Sequence, residues 1–167
     1  SEKTFDDTFD NELKERLSVF NKKYFPNPEF KNKVRKGLVD EKEYGSQKLT
    51  LFLDENKQFF EENGTKDKSN LYDETRMNNF LSKWFSKRVR QELFYAIKQI
   101  EQIKDPHLKK VLRIIVSRTA RSCRATKHSD LATLREPQIS PYYCRKHKKI
   151  CVPVNSILKH FRRYTLD

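Results

Sequence analysis

Glycine is nearly missing: only Gly37, Gly45 and Gly64 occur in 167 residues, against the roughly 7% usual in proteins. No two of them stand two positions apart, which excludes a Gly-x-Gly nucleotide-binding turn and a Walker-type phosphate loop. A many-turned β-sandwich or barrel is disfavoured on the same ground, since it needs a turn about every 8–12 residues. Long apolar runs are missing too. No stretch of about 18 apolar residues occurs, so no segment reads as a membrane span. Ser1–Asp10 is acidic and polar, unlike a secretory signal or transit peptide. Without such a signal, three cysteines read as thiols or metal ligands in a reducing, cytoplasmic setting.

Acidic residues are scarce in one half only. Residues 1–83 hold 16 Lys/Arg and 17 Asp/Glu, whereas residues 84–167 hold 20 and 6. From Lys109 onward the count is 15 against 3. A surface built only for solubility mixes the signs, so this segment reads as an electrostatic footprint for the phosphates of a nucleic acid, the alternative being a basic face for an acidic partner domain.

What is abundant is helical periodicity, and the expected fold is mainly α: an irregular helical bundle with a basic, zinc-stapled loop region towards the C-terminus. The length suits one domain, or two small parts at 1–68 and 69–167. Phe9, Leu13, Leu17, Phe20 and Tyr24 stripe a first helix that Pro26 and Pro28 end. Asn27–Gly45 is charged and weakly periodic, and reads as an irregular connection. Leu49–Leu53 opens either a helix to Phe60 or a short strand, Asn63-Gly64 reads as a C-terminal cap, and Thr65–Asn70 as a linker. Leu71–Ser82 and Trp84–Ile103 read as helices, the second with Val89, Leu93, Ala96, Ile97, Ile100 and Ile103 on one side. Asp105-Pro106 starts another, striped by Leu108, Val111, Leu112 and Ile115. In a last helix Val154, Ile157, Leu158, Phe161 and Tyr164 face inward, and Lys159, Arg162 and Arg163 outward.

The most specific chemistry is Cys144-x2-His147-x3-Cys151, with Cys123 upstream. Zinc takes four tetrahedral N/S ligands, and a thiolate and an imidazole three positions apart can meet one ion across a tight turn. Cys123, Cys144, His147 and Cys151 are the expected ligands of a structural zinc, with His128 a competitor of Cys123. A site closed by four protein ligands leaves no position for a catalytic water. Nearby, Arg118, Arg121 and Arg124 recur at i+3 with only small residues between them, so a continuing helix would align three guanidinium groups for phosphate. Arg145, Lys146, Lys148 and Lys149 add a second basic cluster around the knuckle.

Ser117-Arg-Thr-Ala-Arg-Ser-Cys-Arg-Ala-Thr126, Asp130-Leu-Ala-Thr-Leu134, Pro141-Tyr-Tyr-Cys-Arg-Lys-His147 and Cys151-x-Pro153 together resemble a stretch of prokaryotic S-adenosylmethionine-dependent DNA modification methylases of the amino-methyltransferase type. The resemblance covers roughly Trp84–Asp167. It implies a middle, inserted segment of such an enzyme, in a restriction–modification setting, with the cofactor S-adenosylmethionine bound by the full-length protein. The family's cofactor motif, D-P-F-x-G-x-G-T, and its catalytic S-P-P-Y are not in these residues. Ser140-Pro141-Tyr142-Tyr143 lacks the second proline and reads as the turn into the knuckle. No catalytic or cofactor-binding residue is therefore carried over.

Two functions compete: a DNA-facing accessory or target-recognition segment, and a helical module packing on its own catalytic core or a partner subunit. A metal-dependent nuclease fits poorly, because Asp130 and Glu136 are the only acids between Asp105 and Asp167 and phosphodiester cleavage wants acids clustered around its metals.

Overall fold

The structure is a computed structural model that describes residues 8–62, 80–128, 136–153 and 155–166. It is mainly helical, as the periodicity requires, and falls into two compact units whose segments interleave in sequence. One unit comprises Asp6–Lys66 with Thr126–Pro153; the other comprises Ser1–Phe5, Asp67–Ala125 and Val154–Asp167. The Asn63-Gly64 cap, the 65–70 linker, the 71–79 part of the expected helix and Val154 lie outside the described residues.

In the first unit, α1 (Thr8–Tyr24) buries Leu13, Leu17 and Phe20 at the expected helical spacing. The connection expected to be irregular instead contains α2 (Glu29–Arg35) and the first turn of α3 (Glu41–Glu55). Helix α2 buries only Phe30, and a single anchor leaves no periodic trace in a charged sequence. For α3 the start signal was present: the Asp40 carboxylate caps the helix by accepting from the Glu43 N–H at 2.9 Å. Leu49–Leu53 lies inside α3, so the helical alternative holds there, and the chain is helical again over 57–62. Aromatic rings fill the core, Phe20 meeting Phe52 edge-on at 5.0 Å and Phe25 meeting Phe30 at 5.0 Å.

The expected loop region contributes a hairpin to this unit. Strand β1 (Tyr142–Cys144) pairs antiparallel with β2 (Lys149–Cys151), with Tyr142 opposite Cys151 and Cys144 opposite Lys149. Three-residue strands are too short for alternation to show in a sequence. The outer edge of β2 is satisfied by α1: Asn21 donates Nδ2 to the Ile150 carbonyl at 2.9 Å and accepts the Ile150 N–H at 3.0 Å. A side-chain amide thus takes the place of a third strand.

The second unit holds α4 (Phe80–Trp84), α5 (Lys87–Glu101), α6 (Pro106–Ser122) and α7 (Ile157–Leu166). The continuous helix expected from Trp84 is broken at Phe85, and Ser86 caps α5 by accepting from the Val89 N–H. Asp105 caps α6 through the His107 N–H at 2.8 Å, with Pro106 in the first turn. Helices α5, α6 and α7 pack pairwise. Trp84, Phe85, Val89, Leu93, Ile100, Val116 and Ile157 are buried. The inward stripes are narrower than expected: Ile97, Leu108, Val111 and Leu158 are exposed. On α6 the buried line runs through Val116 and Thr119, rotated away from Val111.

Candidate metal centre and basic surface

The hairpin makes a one-sided cluster. Side chains two apart on a strand share a face, and so does the cross-strand partner. Tyr142, Cys144 and Cys151 therefore form one buried group. The turn between the strands closes with the Lys148 N–H donating to the Cys144 carbonyl at 2.7 Å. Lys148 adopts the left-handed backbone region, φ 54°, that allows so tight a return. His147 projects its ring from this turn, with Nδ1 3.7 Å from Cys144 Sγ and 3.6 Å from Cys151 Sγ.

The fourth member is His128. Its backbone N–H donates to the Tyr142 hydroxyl at 2.8 Å, and its Nδ1 lies 3.0 Å from that hydroxyl and 3.6 Å from Cys144 Sγ. One ligand atom from each of His128, Cys144, His147 and Cys151 lies within 4.8 Å of the other three. Zinc bonds of about 2.3 Å to sulfur and 2.0–2.1 Å to nitrogen place tetrahedral ligand atoms about 3.6 Å apart. The three S···N separations, 3.6–3.7 Å, agree with that spacing.

The electrostatics suit a cation. Burial, and then the neighbouring positive charge, hold the His128 and His147 imidazoles below the ordinary histidine range, favouring the neutral form that coordinates metal. Burial pushes the Cys151 thiol up to about 12, with the Cys144 sulfur adding to it. A thiolate at such a position is stable only beside a positive charge.

Cys123 stands outside this group. It caps the end of α6 in the other unit, 2% exposed, with burial pushing its thiol up to about 12 and Glu92 adding to the effect. Of the four expected ligands the structure brings together Cys144, His147 and Cys151, and joins His128 to them. Linear distance from the knuckle could not choose between Cys123 and His128. The Tyr142 hydroxyl holds His128 beside the knuckle.

The chain resembles part of a Type II methyltransferase. It is 44% identical over 162 residues to Type II methyltransferase M.MjaII of Methanocaldococcus jannaschii, an alignment that takes in 97% of this chain. The chain spans 30% of that relative's length. No family model matches the chain, and no solved structure matches it.

The basic residues divide between the units. Arg118 and Arg121 lie exposed on α6, but the helix ends at Ser122. Arg124 falls beyond it, half-buried, with Nε donating to the Arg121 carbonyl at 3.1 Å. The ladder thus has two helical rungs and one bent back. The Arg118 guanidinium sits 4.5 Å above the Tyr164 ring. In the hairpin unit Arg145, Lys146 and Lys149 are exposed, whereas Lys148 Nζ pairs with Glu41 Oε2 at 2.6 Å. The tyrosines of Ser140–Tyr143 are occupied as well, Tyr142 by His128 and Tyr143 by donating to Glu41 Oε1 at 3.2 Å.

Proposed function

We propose that this chain is a non-catalytic, DNA-facing accessory or target-recognition segment of a DNA methyltransferase, stapled by one structural zinc at His128, Cys144, His147 and Cys151. The observation that carries the methyltransferase reading is the 44% identity across nearly the whole chain to M.MjaII. On this reading the methyl donor S-adenosylmethionine is bound by the remaining part of a longer enzyme, since these residues contain no glycine-rich loop to cradle it. The zinc reading is supported by four N and S atoms within 4.8 Å of one another, three of whose S···N separations are 3.6–3.7 Å. A Cys₂His₂ set uses all four positions, so the ion holds the hairpin and the segment bearing His128 together rather than activating water. The exposed Arg118, Arg121, Arg145, Lys146 and Lys149 supply the phosphate contacts.

Metal analysis of protein purified without chelator, together with a salt titration of duplex DNA binding, tests the reading. The expected results are one zinc per chain and an affinity that falls steeply with salt. Protein free of zinc removes the staple, and no binding at low salt removes the DNA-facing role.

A second reading has its own support. Phe94 on α5 and Val111 and Ile114 on α6 are large apolar side chains left exposed. They suit a module that packs on its own catalytic core or on a partner subunit. Sedimentation of the chain mixed with the rest of such an enzyme separates the two readings: a stable complex in high salt favours packing.

A further inference from the structure

Helix α7 presents Lys159, Arg162 and Arg163 on its exposed side. Some cations of the chain are matched, as in Arg88 with Glu92, Arg113 with Glu101 and Lys148 with Glu41. These three have no ion-pair partner among the described residues. Residues 137–166 contain seven Lys/Arg and no acid, so nothing in that stretch neutralises them. With His160 and Leu166 they line a shallow cleft of about 300 Å³. The Nδ1 atom of His160 is buried and makes no hydrogen bond. Arg118 lies over Tyr164, which brings an α6 cation alongside α7.

We propose that the exposed face of α7, formed by Lys159, Arg162 and Arg163 and extended by Arg118, binds the phosphate backbone of duplex DNA. The surface rests on the DNA-facing reading above and adds residues to it. Positions i, i+3 and i+4 cluster within one helical turn, and arginine grips a phosphate with two parallel N–H donors. With no ion-pair partner among the described residues, the cations give up none of those residues when a phosphate arrives. An anionic membrane is the less suitable polyanion. A helix lying on lipid inserts its aromatic side chains, whereas Phe161 and Tyr164 of α7 are half-buried, with Tyr164 engaged by Arg118 and Ser122.

The test is fluorescence anisotropy of a short labelled duplex against salt concentration, using the 167-residue chain. The triple variant Lys159→Gln/Arg162→Gln/Arg163→Gln should bind more weakly, with a log–log salt slope shallower by about 3. A variant with the same charge loss elsewhere, Lys14→Gln/Lys22→Gln/Lys33→Gln, should keep the parent slope. So should the charge-conserving Lys159→Arg/Arg162→Lys/Arg163→Lys, which also reports that the helix folds. Adding unlabelled duplex should shift the His160 ring resonances. Parent-like binding by the first variant, or equal loss in the second, overturns this surface while leaving the DNA-facing role intact. Failure of the parent to bind duplex at low salt overturns both. Binding of phosphatidylserine vesicles without duplex binding assigns the face to lipid and overturns the proposal.

Discussion

Glu92 on α5 caps α7: its Oε2 accepts the backbone N–H of Ile157 at 2.6 Å, and its Oε1 accepts Nε of Arg88 at 2.9 Å. The carboxylate is 1% exposed, so a charge 65 residues away in sequence caps the start of α7. Removing it leaves a buried N–H without this acceptor and takes a carboxylate away from Arg88. Glu92→Ala should lose about 3 kcal/mol of stability by urea unfolding, and Glu92→Gln, which keeps one acceptor, clearly less. Equal losses would show that charge, not the hydrogen bond to Ile157, governs the contact.

The proposed zinc ligand set makes opposite predictions for two residues at similar distance from the knuckle. His128→Ala should release zinc, or weaken its retention against a chelator by at least about tenfold. Cys123→Ser should keep the full metal content, because Cys123 belongs to the other unit's core. Atomic absorption on the two purified variants decides between them.

Gly45 has a steric role at the hairpin. A Cβ built there would lie 2.6 Å from the Tyr143 ring. Gly45→Ala should push Tyr143 off α3, weaken its bond to Glu41, and cost about 1–3 kcal/mol of stability. Near-UV circular dichroism of the tyrosines should change while helical content stays.

Asn21 serves the other edge of the hairpin. Asn21→Ala should leave both the N–H and the carbonyl of Ile150 without their partner, at about 1–3 kcal/mol. Hydrogen exchange at the Ile150 amide should accelerate in this variant and remain slow in the parent.

His160 gives a pH dependence of known sign. Burial, with Lys159 and Arg163 adding, lowers its pKa from the ordinary value of 6.5. Between the lowered value and 6.5 the unfolded chain binds the proton that the folded chain refuses. The contribution of this group is therefore intact above 6.5 and falls as the pH drops below it. Urea midpoints compared at neutral and mildly acidic pH should separate less in His160→Gln than in the parent.

Much of this protein was legible in its residues one segment at a time. The 3–4 spacing of Leu13, Leu17 and Phe20, the Asp105-Pro106 start of α6, and the Cys144–His147–Cys151 knuckle all depend on neighbours within a turn or two. The resemblance to a methylase segment belongs here as well, since it is carried by residue order. Short elements escaped. Helix α2 has one buried anchor and β1 and β2 have three residues each, too few for any period to register.

The scarcity of glycine and the uneven charge are properties of the sequence alone, and they excluded phosphate loops and pointed to a polyanion without any coordinates. Only the tertiary structure decided which residues meet. It placed His128 rather than Cys123 beside the knuckle, matched Lys148 with Glu41 while leaving Arg162 and Arg163 without an ion pair among the described residues, and divided one basic stretch of sequence between two packing units. Local spacing determines which face of a helix or turn a side chain occupies. Partners distant in the chain are set by the packing that buries Tyr142 and Glu92, and no local pattern encodes that.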